Sequence, residues 1–298
     1  MLQLPNFEPS RKKQKGKALL IEGGGMKGAF AGGVLTAMYS EYPAANFDVI
    51  LAVSAGACSA AYYVTEPSAE YLPIYRLTHI WRVELAGKRL INPWKILTGG
   101  KVLNQTFLID YLFKKKYPIK KERFNMPGTP AFFITVSNLT TGEPEYIKAT
   151  QDNIFELLKA ATSLPIVTKG RQKLDFQKYG DGAILDPLPI EELLRAGYTD
   201  ITVVLNNPLQ YYYAPYGKLV SFLSYPTRPL LARKMYFDCH RRYNKSKDIL
   251  LHPEKGQNFR IIAPLSSEMS LLESNTDKLN KTINEGIATG TEIFRKIK

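Results

Sequence analysis

The sequence predicts an α/β domain with a largely parallel central sheet flanked by helices, and three observations predict it. Short apolar runs of strand length recur at 18–21, 49–53, 131–136 and 201–205, and a last one at 260–263 is stopped by Pro264. Helical stretches separate them: residues 28–39 carry Ala, Val, Leu and Met at helical spacing, 55–63 is a small-residue stretch, and 153–161 and 190–196 follow. No internal repeat or low-complexity tract interrupts that alternation, and strands alternating with helices argue a parallel sheet. Element by element, 18–21 lies between Gly16 and Gly23–Gly25 and reads as a buried strand. The run 190–196 ends at Gly197, in the position where a glycine closes a helix.

The 298 residues are enough for one large domain or two small ones. With 45% hydrophobic and 22% charged residues, disordered and collagen-like classes are excluded. No apolar run reaches the ~18 residues of a membrane span, and the opening residues have no apolar signal-peptide region. Cys58 and Cys239 are too few for a disulfide framework, and no Cys/His group has zinc spacing. A reducing, cytoplasmic location is expected. The organisation reads as a basic N-terminal arm (1–16), a catalytic core (17–206) and a C-terminal extension (207–298) packed on the core and ending in a helix from Leu271. Two stretches fit the alternation less well. Residues 67–125, rich in Tyr, Trp, Pro and Lys, read as a helical insertion beside the site. Residues 207–258 mix Tyr and Phe with cations and read as core packing, or as a cap that meets a bilayer. The net charge of +13 suits anions in general, or a solvated surface. Peripheral contact with an anionic membrane is the expectation drawn from it.

Three segments carry chemistry. In Gly23-Gly24-Gly25-Met26-Lys27-Gly28, consecutive glycines let backbone N–H groups converge at a helix start, where a phosphate or an oxyanion is stabilised. A dinucleotide site needs an acidic residue closing a second strand, but Asp48 precedes the run 49–53. In Ala52-Val53-Ser54-Ala55-Gly56, a serine among small residues between strand and helix fits the nucleophile elbow G-x-S-x-G, with Ala52 where the pattern has Gly; an N-cap serine is the bland alternative. In Gly180-Asp181-Gly182-Ala183, an aspartate between glycines sits in a loop that can approach another backbone, or simply makes an Asx turn.

Taken in order, these segments resemble the patatin-like phospholipase family, which carries G-G-G-x-[KR]-G, then G-x-S-x-G, then Asp-Gly-Ala or Asp-Gly-Gly. The stretch Ala160-Ala161-Thr162-Ser163-Leu164-Pro165 resembles the family's segment ahead of its aspartate, and Asp186-Pro187-Leu188-Pro189 continues the likeness, which covers roughly 17–206. The resemblance implies a patatin-like three-layer architecture and an ester hydrolase acting on lipids. It implies Ser54 as nucleophile and Asp181 as its base, with no catalytic histidine. Backbone N–H groups of Gly24, Gly25 and Met26 would form the oxyanion hole, supported by Gly23, Lys27, Gly28, Gly56 and Gly182. It calls for no metal, no cofactor and no nucleic acid; the partner it implies is a lipid or ester substrate. Two other readings stay open: a Ser54–Asp181 triad completed by His240 or His252, and a non-catalytic nucleotide or anion binder using the glycine turn.

Overall fold

The computed structural model describes residues 16–66, 76–98, 100–266 and 268–296. The predicted N-terminal arm therefore lies outside the described residues, apart from Gly16. Eight strands form one sheet: β1 (Lys17–Ile21), β2 (Val49–Val53), β3 (Ala131–Asn138), β4 (Glu143–Lys148), β5 (Gln172–Leu174), β6 (Gln177–Asp181), β7 (Asp200–Val204) and β8 (Asn258–Ile262). Their hydrogen-bonded order is β5–β6–β3–β2–β1–β7–β8, with β4 also paired to β3. Five neighbours, β3–β2–β1–β7–β8, run parallel, as predicted. The end the sequence did not reveal is antiparallel: β4, β5 and β6 are polar, partly exposed strands.

The parallel strands are apolar on both faces because both faces are covered. Alternate side chains point opposite ways. Leu19, Ile21, Ile50 and Ala52 pack beneath α1 (Ala29–Glu41), α2 (Ala55–Thr65) and the terminal helix α8 (Thr276–Arg295). Ala18, Leu20, Val49 and Leu51 pack on the other face, against α4 (Ile190–Arg195) and α7 (Cys239–Leu251). Helix α3 (Ile154–Ala161) precedes the β5–β6 hairpin. The stretch predicted as a helical insertion is helical at 76–84, Pro93–Thr98 and Thr106–Lys116. The terminal helix begins at Thr276 instead of Leu271, because Asn275 caps it: its Oδ1 accepts from Lys278 N at 3.0 Å. Among the described residues no helix is long and apolar enough to cross a membrane.

Register places the site. Strand β3 pairs with β4 along one edge through Phe133–Asn138. Its other edge must therefore serve both β2 and β6. Thr135 faces Val53, the last residue of β2, and the next residue, Val136, faces Asp181, the last residue of β6. Two strands thus end nose to nose along a third, and Asp181 closes a strand where a loop was expected.

Removing the helix cap, Asn275→Ala, should lower stability by about 1 kcal/mol, read as a reduced urea midpoint with unchanged slope.

Candidate active site

Ser54 follows β2 directly and opens α2 with φ 51° and ψ −125°, a conformation rare for a residue with a side chain. This is the sharp strand-to-helix turn expected of a nucleophile elbow. Its Oγ donates to Asp181 Oδ2 at 2.6 Å, across 127 residues of sequence. Ala52, the departure from the G-x-S-x-G pattern, lies fully buried within β2 between Ile21 and Ile134, so a methyl group there is core packing. Gly56 and Gly182 each press on backbone. A Cβ would stand 2.5 Å from the Glu22 carbonyl oxygen in the first case and 2.4 Å from that of Thr135 in the second.

Asp181 is fully buried. Its Oδ1 accepts from Ala183 N at 2.9 Å, its N–H donates to the Ser163 carbonyl at 3.1 Å, and its own carbonyl accepts from Ser137 Oγ at 2.7 Å. Desolvation raises its carboxyl to about 7, although the hydrogen bonds from Ser54 and Ala183 favour the charged form. A carboxylate so held is a base poised at neutral pH. Both of its oxygens are engaged without a histidine. Neither His240 nor His252 lines the cavity that holds Ser54 and Asp181. His252 caps the far end of α7, with Nδ1 3.1 Å from the Asp248 carbonyl. His79 rests against the Tyr117 ring at 5.7 Å.

The glycine turn leaves β1 and passes through Gly24 (φ 142°) and Gly25 (φ 55°), angles that favour residues without a Cβ. It then closes a 3-10 turn over Gly25–Gly28 and enters α1 at Ala29. Gly23 lies against Ser54, and Gly28 against Ala55 and Trp81. Among the described residues the N–H groups of Gly24 and Gly25 donate to no protein acceptor. The Met26 N–H is different: it donates to the Leu271 carbonyl at 3.0 Å, so in this state it is already engaged. The Lys27 ammonium is directed to Asn207 Oδ1 at 2.8 Å and lies 5.2 Å from the Tyr211 ring centre, with burial lowering its pKa.

One group of residues escaped the sequence reading. Glu22, fully buried, accepts from the N–H groups of Asn206 (2.5 Å) and Asn207 (3.1 Å) and from Asn207 Nδ2 (2.7 Å). Asn206 Nδ2 donates to the carbonyls of Glu22 and Gly23, while its Oδ1 accepts from Ala31 N in α1. Asn206 thus pins both ends of the glycine turn. No sequence pattern signals this: β1 and β7 are adjacent parallel strands with Ile21 opposite Val204, so polar residues just past their ends meet only once the sheet has formed.

Ser54, Asp181 and Gly25 open onto a cavity of about 60 Å³ whose walls are almost wholly apolar, among them Tyr62, Trp81, Leu85, Ile91 and Phe113. Cys58 also lines it, but burial pushes its thiol up to about 12, so it is no nucleophile at neutral pH. Among the described residues no group of three or more His, Cys, Asp or Glu could hold a metal ion.

The family model for patatin-like phospholipase matches residues 19–194, which take in the glycine turn, the serine elbow and the aspartate. The chain belongs to the patatin-like phospholipase family. The chain is 26% identical over 220 residues to the uncharacterized protein YjjU of Escherichia coli strain K12, a match covering 72% of this chain and 57% of that protein. It therefore spans little more than half the length of that relative. In fold it is similar to VipD from Legionella pneumophila, with a TM-score of 0.50 at 14% identity, covering 95% of this chain and 67% of that one.

Asn206→Ala would leave three buried backbone groups without their partner. It should slow fluorophosphonate labelling of Ser54 by about tenfold or more and lower stability by about 1–3 kcal/mol. Labelling at the wild-type rate would separate Asn206 from the geometry of the turn.

Proposed function

We propose that the protein hydrolyses carboxylic esters of lipids, as a phospholipase A, lysophospholipase or related esterase, through a Ser54–Asp181 dyad. The observation that carries this reading is the 2.6 Å hydrogen bond from Ser54 Oγ to a carboxylate whose burial raises its pKa to about 7. Ser54 Oγ attacks the ester carbonyl carbon while its proton passes to Asp181 Oδ2. The carbonyl oxygen becomes an oxyanion, held by the unengaged N–H groups of Gly24 and Gly25, each lowering the barrier by on the order of 3 kcal/mol. Collapse breaks the bond to the alcohol, which takes the proton from Asp181. Water then attacks the acyl-serine, giving its proton to Asp181; collapse breaks the acyl–Oγ bond, Ser54 Oγ takes the proton back from Asp181, and the fatty acid leaves.

The apolar cavity supports an acyl chain as the group presented to Ser54: its walls offer almost no polar partner to a headgroup. Direct contact between Ser54 and Asp181 favours the dyad over a triad, and family membership favours catalysis over a nucleotide-binding role. The excess of cations and the lipid nature of the substrate support peripheral binding to anionic membranes from the cytoplasm.

Fluorophosphonate labelling should vanish in Ser54→Ala, and Asp181→Asn should lower turnover by on the order of 10²–10⁴-fold with the fold retained. Unchanged turnover in either variant overturns the mechanism. Because Asp181 acts as the deprotonated base, kcat/KM for a soluble ester should rise with pH and level off above about 7.

The same group sets a stability trend. A carboxyl whose pKa is higher folded than unfolded binds its proton more tightly in the folded chain. Its contribution is full below the unfolded value near 4 and is lost as pH rises through about 7. Asp181→Asn should therefore be more stable than wild type at pH 8, by up to a few kcal/mol, with the gap closing toward pH 5 in urea titrations.

A further inference from the structure

From residue 201 to residue 237 the chain has four cations, Lys218, Arg228, Arg233 and Lys234, and neither Asp nor Glu. This stretch holds two short helices, α5 (Lys218–Ser224) and α6 (Pro229–Phe237), packed on one another. Helix α5 inverts the usual pattern of a surface helix. Its buried residue is Ser221, whereas Leu219, Val220, Phe222 and Leu223 are exposed by 69%, 43%, 55% and 56%. Leu230 and Phe237, at the two ends of α6, are exposed as well. Six large apolar side chains within twenty residues of sequence form a surface that a soluble protein keeps small unless something covers it.

Charge chooses the occupant. Lys218 and Arg233 are exposed among these side chains, 5.9 Å from the rings of Tyr236 and Phe237 respectively. Among the described residues neither forms an ion pair. Arg228 and Lys234 are turned inward instead, to the Leu139 carbonyl and to Glu143. Exposed leucine and phenylalanine beside two unpaired cations, on a stretch with no acid of its own and with Glu143 neutralised by Lys234, complement an anionic lipid surface, where apolar groups enter the acyl boundary and cations meet headgroups. A second copy docked by the same face would bring like charges together.

The element also adjoins the site. Tyr216 and Tyr225 bracket α5 in sequence, and the charge of Asp181 reaches both phenols. Tyr225 packs with Leu231 and Met235 of α6 on Ile184 and Leu185, in the turn that follows Asp181.

We propose that the α5–α6 hairpin seats the protein on an anionic lipid surface, with Leu219, Phe222 and Leu223 entering the acyl boundary and Lys218 and Arg233 held at the headgroups. The proposal rests on the acyl-hydrolase reading, to which it adds the face presented to the bilayer. The test uses the full chain, with sedimentation against vesicles of phosphatidylcholine alone and of phosphatidylcholine with phosphatidylglycerol. Leu219→Asp/Leu223→Asp and Lys218→Glu/Arg233→Glu should each weaken binding to the anionic vesicles by about tenfold or more, and wild-type binding should fall with salt. Both double variants should hydrolyse p-nitrophenyl butyrate in solution at the wild-type rate, which also shows that they fold.

Phe222→Trp should gain blue-shifted emission, relative to wild type, when anionic vesicles are added. Vesicle binding unchanged in both double variants, or no shift for Phe222→Trp on bound vesicles, overturns the proposal. A wild-type dimer abolished by Leu219→Asp/Leu223→Asp, without vesicle binding, also overturns it and assigns the face to a second copy. Failure of wild type to hydrolyse the soluble ester or to take the fluorophosphonate label would count against the acyl-hydrolase reading, while vesicle binding would still report on the hairpin.

Discussion

The pairing register of β3 is the constraint on which the site depends. One edge of that strand receives the end of β2 at Thr135 and the end of β6 at Val136. The hydroxyl that follows one strand and the carboxylate that ends the other are thereby brought into hydrogen-bonding contact. Backbone pairing fixes this meeting more firmly than side-chain packing could, because a one-residue slip would turn each side chain to the opposite face of the sheet. The Ser137 hydroxyl bonded to the Asp181 carbonyl and the Ser163 carbonyl bonded to the Asp181 N–H hold the same strand end from two further directions.

Such placement works against stability. Asp181 is buried, Ser54 is kept in an unfavourable backbone conformation, and Glu22 is a second carboxyl buried behind the glycine turn. Each is compensated locally. Ala183 and Ser54 donate to Asp181, the Asn206 and Asn207 amides surround Glu22, and the β2–α2 junction is sandwiched between helices and sheet. Buried polar groups that are fully partnered keep a unique geometry, and those left half-partnered are costly.

Much of this was legible in the sequence, for reasons that differ from residue to residue. The parallel strands announce themselves because burial on both faces demands uninterrupted apolar runs such as that of Val49–Val53. Ser54 and the glycine turn were visible because sharp strand–helix junctions demand small residues there. The antiparallel strands were hidden: Glu143–Lys148 contains a proline and three charges, and Gln177–Asp181 is polar with an internal glycine, so neither carries a strand pattern. Asp181 was accordingly identified by its glycine neighbours but placed in a loop. Asn206 was overlooked because its role comes from the adjacency of β1 and β7, a tertiary fact. The bond from Met26 to Leu271 has no sequence signature at all, since a main-chain carbonyl belongs to every residue.

That last bond ties distant parts of the polypeptide together. The amide at residue 26 is anchored to residue 271, four positions ahead of the Asn275 cap of the terminal helix, which in turn packs along α1, the helix the glycine turn introduces. The route is a closed circuit: from the turn into α1, across to α8, and back through Leu271 to the turn. Cutting the chain before Leu271 would open the circuit at two points, depriving the Met26 amide of its acceptor and stripping one wall from the apolar chamber beside Ser54. The tail is thus a girder of the reaction chamber, and shortening the polypeptide from that end amounts to editing the site itself.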